Sequence, residues 1–233
     1  MAIRAARLAL GRSGVPPGDI ALLLHAYIWY QGVDFWSAAP YIHHEVLGDN
    51  RFAPAIDVSQ MSAGAMGALE LAASYLAASP RRGAALVTAA DRFHLPGFDR
   101  WRTDIPSIVY GDGASALVLS RTGGFAELIA LSTVVDTSLE PMYRGDSAFG
   151  VVSAAASGPV DVRGRRDAHL RQAERAQVIG QMTGSLTAAV RAVLSDAGLA
   201  LTDITRFVFP NVGLEVLCAR YLEPLGLDPA VTV

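Results

Sequence analysis

The sequence contains no lysine. All nineteen of its basic residues are arginine, set against twenty-two acidic ones, for a formal net charge of −3. No basic stripe is present to neutralise phosphates, which argues against a nucleic-acid partner. Cys218 is the single cysteine, so a disulfide scaffold and cysteine-type zinc sites are excluded. No apolar run approaches the roughly 20 residues of a membrane helix. The longest, Ile20 to Tyr30, is interrupted by His25 and has the length of a buried strand. Met1 is followed by an amphipathic pattern with Arg4 and Arg7 rather than by a signal-peptide core, so a cytoplasmic protein is expected. What is present in quantity is apolar. Over 233 residues, 52% are hydrophobic and 18% charged. That composition excludes a disordered chain and supplies the core of one large domain or two small ones.

Periodicity predicts a helix over Ala2–Arg12, stopped by Gly14, and a strand over Ile20–Ile28 that is apolar on both faces. A short helix follows over Pro40–Leu47, then a strand over Ala53–Val58, a small-residue helix over Ala63–Ala78 and a strand over Gly83–Ala90. Further strands are predicted at Ala114–Ser120 and Phe125–Val134, and a surface loop over Asp136–Arg166. A long helix over Arg165–Ala197, with a possible break near Gly180 or Gly184, leads to a strand at Ile204–Phe209 and a helix at Gly213–Leu225. Strands alternating with helices imply an α/β fold with mainly parallel strands.

The chain also repeats itself. With an offset of 184, Ala5, Arg7, Leu10, Gly14, Asp19 and Ile20 fall on Ala189, Arg191, Leu194, Gly198, Asp203 and Ile204. With an offset of 178, Glu45, Leu47 and Gly48 fall on Glu223, Leu225 and Gly226. Two consecutive units at nearly one offset indicate a duplicated fold. The second copy reaches Val233 before any counterpart of the loop at Ser62, so a C-terminal half that is incomplete is expected. The halves are read as residues 1–165 and 166–233.

The sharpest site candidate is Asp57-Val-Ser-Gln-Met-Ser-Ala-Gly64. An apolar strand ends, Ser62 sits in a tight turn, and a helix begins at once. Such a turn exposes a nucleophile at the positive end of a helix, beside backbone N–H groups suited to an oxyanion. Gln60 stands where a Gly-x-Ser-x-Gly elbow needs its first glycine, which disfavours an α/β-hydrolase. The plainer alternative is that Ser62 is only a helix N-cap. Tyr110-Gly-Asp-Gly-Ala114 reads as a structural turn between two apolar runs. His43 and His44 lie on different faces of one helix and cannot chelate together; His94 sits in an Arg- and Asp-rich loop from Arg92 to Asp104; His169 lies on a charged helix face. Tyr143 and Arg144 belong to a loop able to cover a pocket. No metal site is indicated.

Taken together, the strand-turn-helix at 57–64, the Gly-Asp-Gly-Ala at 111–114 and the duplicated halves resemble a ketoacyl-ACP synthase III, of the thiolase fold. The family's nucleophile motif, Asp-x-x-x-x-Cys-Ala-Gly, is matched by Asp57 and Ser62-Ala63-Gly64, with serine in place of cysteine as in some members of the polyketide-priming branch. Phe35, followed by Ser37-Ala38-Ala39, resembles the segment that gates the acyl pocket across the dimer interface. The family's Pro-His-Gln-Ala-Asn aligns with Phe209-Pro210-Asn211-Val212-Gly213, which puts Pro210 in the position of the catalytic histidine. Its later Gly-Asn motif is absent from these residues, as is an N-terminal strand, so the sequence reads as a piece lacking both ends.

The resemblance implies a thiolase-like, duplicated α-β-α layered fold and a homodimer. It implies acyl-CoA and an acyl carrier protein as partners, with no cofactor. Ser62 is the expected nucleophile; Phe35, Tyr143 and His94 are expected to line the substrate site. A hydroxyl ionises several pKa units above a thiol, so Ser62 needs a general base that a cysteine could nearly do without. With Pro210 in the histidine position, that base must be His94, Tyr143 or a group outside these residues. Decarboxylative condensation, which uses the family histidine, is handicapped, whereas acyl transfer is not. The expectation is therefore an acyltransferase working through a Ser62 acyl-enzyme. A priming ketosynthase or a catalytically degenerate partner subunit is the alternative.

Overall fold

The computed structural model describes residues 1–78, 83–102, 108–150 and 158–228. Apolar runs become strands only where a neighbour completes their hydrogen bonds, and four do so here. β1 (Ile20–Ala26), β2 (Ala55–Val58), β3 (Ala84–Asp91) and β4 (Gly113–Ser120) form one sheet in the order β2-β1-β3-β4. The first three are parallel, with Leu24 opposite Ile56 and Val87, and β4 runs antiparallel to β3. The sheet is thus mainly parallel, as the alternation of elements predicted.

Contacts divide the chain into two compact units. The first comprises Met1–Phe93 and Gly111–Glu127; the second comprises the described residues of 94–110 and 128–233. These boundaries differ from the halves read from the repeat, because a repeat marks copied sequence and a contact boundary marks packing.

In the first unit, helices cover both faces of the sheet. α1 (Ala2–Ser13) and α2 (Ala38–Leu47) bury Ala2, Ala6, Leu10, Ala39, Ile42 and Leu47 against Ile20, Leu23, Ala84 and Leu86. α3 (Gly64–Ala77) buries Ala68, Ala72 and Leu76 against Leu22, Leu24, Ala85 and Val87 on the opposite face. Its small residues let the helix lie close to the strands; a Cβ at Gly64 would stand 3.3 Å from Cβ of Ala26. Arg7 ties α1 to α2 through the carboxylate of Glu45 at 3.1 Å and its carbonyl at 3.0 Å.

The second unit contains α4 (Pro141–Arg144), α5 (Val162–Gln172), α6 (Arg175–Ala197) and α7 (Leu214–Leu217), which continues through a π turn (Cys218–Leu222) into α8 (Glu223–Leu225). Here the repeat becomes visible in the backbone. Gly14 ends α1 and Gly198 ends α6, each left-handed at φ 67°. A 3-10 turn follows both, at Pro17–Asp19 and Leu201–Asp203, and leads into extended backbone at Ile20 and Ile204. Gly48 and Gly226, at the second offset, both have positive φ. A duplicated helix-glycine-turn unit is therefore present in both copies.

Three sequence expectations need correction. The strands predicted at Ile204–Phe209 and Phe125–Val134 are not strands. The strands β2 and β3 that flank β1 have no counterpart beside 204–209 among the described residues. The long helix is interrupted at Ala173 and Glu174, both extended (ψ 138° and 125°), and not at Gly180 or Gly184. Glycine costs a helix only about 1 kcal/mol, so both stay helical. The loop expected over Asp136–Arg166 contains the 3-10 turn Thr137–Leu139, α4 and the start of α5; its residues 151–157 lie outside the described residues, as do 103 and 104 of the His94 loop. Among the described residues no helix is long and apolar enough to cross a membrane.

Candidate active site

β2 ends at Val58, and the chain turns through Ser59 and Gln60 into a 3-10 turn, Met61–Ala63, that runs straight into α3. Met61 takes φ 47°, a left-handed backbone that costs a non-glycine residue energy and tends to persist at functional sites. The strained residue lies immediately before Ser62. The amide end of Gln60 lies where a side chain at position 67 would be, and only glycine at 67 leaves it that space.

Ser62 is exposed, and neither the 3-10 turn nor α3 has a side-chain cap. That observation answers the plainer alternative: the Ser62 hydroxyl does not cap the helix it precedes. An uncapped start of a 14-residue helix supplies partial positive charge beside this hydroxyl, while the N–H groups of Ala63 and Gly64 donate to the carbonyls of Gln60 (3.2 Å) and Met61.

Asp57, the first residue of the motif, does not reach towards Ser62. Its carboxylate accepts from the Ser37 hydroxyl and from the backbone N–H groups of Ala38 (3.0 Å) and Ala39 (2.9 Å), and so caps α2 from the neighbouring strand. Just before that cap stands Phe35, fully exposed and left-handed at φ 53°. At the far end of the same loop, Asp91 accepts from the N–H of Ile28 (2.9 Å) and of Trp29 (2.7 Å). Burial pushes the Asp91 carboxyl above its usual range, against the pull of those two N–H groups and of His25.

His25 lies between them on β1, in register with Asp57 on β2 and Thr88 on β3. It is wholly buried, and its Nδ1 is 2.9 Å from Thr88 Oγ1. Burial lowers its pKa, opposed by the Gln31 side chain and then by Asp57, Asp91 and Thr88. Burial also raises Tyr27, with Asp57 adding to the shift. From the sequence alone Asp57 is legible only as a motif letter and His25 only as a break in an apolar run, and nothing singles out Asp91. A signal was available: the parallel strands are apolar except for His25, Asp57, Thr88 and Asp91, all in their C-terminal halves, the edge where α/β folds place ligands.

Asp112 of the Gly-Asp-Gly turn accepts from the Phe93 N–H at 2.9 Å and fastens the end of β3 to the start of β4, in keeping with a structural turn. The other expected site residues, His94 and Tyr143, belong to the second unit. His94 is exposed, with Nδ1 2.7 Å from the Leu95 carbonyl. Tyr143 is on α4, whose exposed Glu140–Arg144 pair (2.7 Å) holds the Glu140 carboxyl below its ordinary range. Pro210 is exposed, one residue after Phe209, which stacks on Phe207 and packs on Tyr221. His169, on a charged stretch of α5, is nonetheless buried, and α5 packs against α4. Also in this unit is a cavity of about 610 Å³, whose walls include Arg166, Arg175 and Arg220 together with Met182, Leu186 and Tyr221. Among the described residues no group of His, Cys, Asp and Glu could hold a metal.

Residues 56–138 match the family described as 3-oxoacyl-[acyl-carrier-protein (ACP)] synthase III. The chain is 30% identical over 219 residues to a beta-ketoacyl-[acyl-carrier-protein] synthase III of Cereibacter sphaeroides, covering 94% of this chain and 63% of that one. It is 34% identical over 120 residues to the protein of that name from Neisseria meningitidis, 52% of this chain and 36% of that one. The chain thus matches less than two thirds of the length of these relatives. Among solved structures it resembles ChlB3, described as an acyltransferase, at 35% identity and a TM-score of 0.90, over 99% of this chain and 67% of that one.

Proposed function

This chain belongs to the 3-oxoacyl-[acyl-carrier-protein] synthase III family, of the thiolase fold, and from that premise we propose that it is an acyltransferase with Ser62 as its nucleophile. The observation that carries the reading is the exposed Ser62 hydroxyl, uncapped and behind the left-handed Met61, at the start of α3. The Ser62 oxygen attacks the thioester carbonyl of an acyl-CoA and its proton passes to a general base. The carbonyl oxygen takes up negative charge at the positive end of α3, the C–S bond breaks, and CoA leaves as the thiol after taking a proton. A carrier protein or a small acceptor then attacks the Ser62 ester and regenerates the hydroxyl. His94 and Tyr143 are the candidate bases within the chain. Phe35 is the candidate wall of the acyl pocket. No cofactor is needed for this chemistry, and the likeness to an acyltransferase supports transfer over condensation.

Pro210 favours a second reading. A proline offers no proton and no N–H, so decarboxylative condensation would lack the donor that the resemblance assigns to that position, and a partner subunit without catalysis of its own would retain the fold. Intact-mass analysis with a panel of acyl-CoAs separates the two. Transfer predicts a stoichiometric acyl adduct on the wild type and none on Ser62→Ala; a degenerate subunit predicts none on either. An adduct that persists on Ser62→Ala overturns the nucleophile assignment. A homodimer in the cytoplasm goes with the transfer reading.

A further inference from the structure

The turn that carries Ser62 is fixed firmly on its helix side. The Gln60 carbonyl accepts the Ala63 N–H at 3.2 Å, and the Met61 carbonyl accepts the Gly64 N–H. Gly64 is buried against the sheet, where a Cβ would stand 3.3 Å from Cβ of Ala26 and 3.6 Å from the Val58 carbonyl oxygen. The strand side has less to hold it. Ser59 and Gln60 are exposed, and Met61 is left-handed at φ 47°. A methionine keeps that backbone only where its surroundings enforce it.

The Gln60 side chain supplies such a restraint. It lies back along α3, so that its carboxamide oxygen takes the place of a Cβ at Gly67, with Cδ 3.2 Å from that place. Gly64 and Gly67 are three residues apart and therefore neighbours on the helix surface. One admits the sheet and the other admits Gln60. Glycine is a poorer helix former than alanine, so a glycine inside α3 calls for a reason, and room for Gln60 is one.

We propose that Gln60 is a positioning residue for Ser62: laid over Gly67, its side chain anchors the strand side of the turn and keeps the Ser62 hydroxyl at the positive start of α3. This rests on the reading of Ser62 as an acyl acceptor. The carboxamide acts through Met61, the one residue between Gln60 and Ser62, and not through contact with substrate.

The variant that spares the fold is Gly67→Ala. Its methyl takes the place of the carboxamide oxygen, and that oxygen, at the end of a flexible side chain, swings away without pressing on backbone. Alanine is also the better helix former, so the thermal midpoint should hold or rise. Acylation of Ser62 at saturating acyl-CoA should slow about tenfold, with KM within about threefold of the wild type. Gln60→Ala should slow it to the same degree. The two substitutions together should be no slower than Gln60→Ala alone, because the collision needs both side chains.

A second readout needs no acyl donor. In Ser62→Cys, the pH profile of alkylation by iodoacetamide, followed on the peptide that carries position 62, reports how far α3 lowers the thiol. Adding Gly67→Ala or Gln60→Ala should move that profile up by as much as about one unit, towards the ordinary thiol value.

Slower acylation together with a raised profile supports the proposal. Movement of neither, or of only one, overturns it, since Gln60 would then not act on Ser62 through the turn. Single effects that multiply in the double variant also overturn it, because Gln60 and Gly67 would be acting separately. So does a Gly67→Ala protein that loses stability, whose methyl would be pressing on something other than Gln60. If the wild type takes no acyl group, the reading of Ser62 is what fails, and the alkylation profile alone then decides whether Gln60 sets the turn.

Discussion

His25 Nδ1 stands 2.9 Å from the hydroxyl of Thr88, which also reaches the Leu24 carbonyl at 3.2 Å. The imidazole lies inside a sheet with apolar helices on either face. It sits in register with Asp57 and within electrostatic reach of Asp91, the two carboxylates that hold the aromatic loop.

A pH dependence follows from that placement. Burial lowers the pKa of His25 from 6.5, so the folded state binds the proton more weakly than the unfolded chain does. The stability from keeping His25 neutral is fully present above pH 6.5 and is lost as pH falls through the lowered pKa. The groups facing the ring, Gln31, Asp57, Asp91 and Thr88, moderate the loss without reversing its sign. Asp91 has the opposite sign: its raised pKa gives a contribution present below 3.8 and lost as pH rises through the raised value. Urea unfolding should show a loss of stability on acidification from pH 7.5 to 5.5 that is absent in His25→Gln. Parallel pH profiles for the two proteins would show that His25 does not titrate in this way.

Met61 offers a stability prediction. A left-handed backbone costs an L-residue roughly 1–2 kcal/mol, and glycine avoids most of that while adding freedom to the unfolded chain. Met61→Gly should therefore stabilise the fold by about 1 kcal/mol or less. If Met61 sets the pose of Ser62, acylation slows at the same time. Thermal unfolding beside acylation rate gives both readings, and a destabilised variant would show that the Met61 side chain contributes more by packing than its backbone costs.

The Gly-Asp-Gly turn is predicted to be structural. Asp112→Ala leaves the part-buried N–H of Phe93 without the carboxylate that accepts from it at 2.9 Å. Stability should fall by about 1 kcal/mol, the typical net contribution of one hydrogen bond, while the protein that remains folded is acylated to the same extent. Loss of acylation at full stability would move Asp112 into the chemistry.

What could be read from the sequence was local. Gly14 and Gly198 were legible as helix stops because left-handed caps favour glycine, and both take the same φ of 67°. The elbow at Ser62 was legible because strand, turn and helix follow one another within a few residues. Pairing was not legible. Ile204–Phe209 has the composition of a strand and the helix-glycine approach of β1, yet strand formation depends on neighbours distant in sequence. The Asp57 cap of α2 was hidden for the same reason: Ser37, the residue before α2, is an ordinary N-cap type, but its hydroxyl donates to a carboxylate twenty residues further along the chain. His43, on one face of a short helix, and His169, on a charged helix face, each bury Nε2, because a helical face is assigned by what packs on it and not by its own charge.

The last prediction concerns the atom at position 62. A thiol at the start of α3 begins near pKa 8.5 and is lowered by the helix by about one unit, so a useful fraction is thiolate at neutral pH without any base. A hydroxyl in the same place has no such fraction and depends wholly on a proton acceptor. Ser62→Cys should therefore form the acyl-enzyme faster than the wild type at pH 7, by about tenfold or more. Its rate should rise with pH and level off as the thiol ionises, and a substitution of His94 or Tyr143 that slows the serine protein should leave the cysteine protein little changed. Stopped-time intact-mass measurements from pH 6 to 9 read all three. If the serine protein is the faster one, a base is already aligned on its hydroxyl, and whichever of the two substitutions slows it identifies that base.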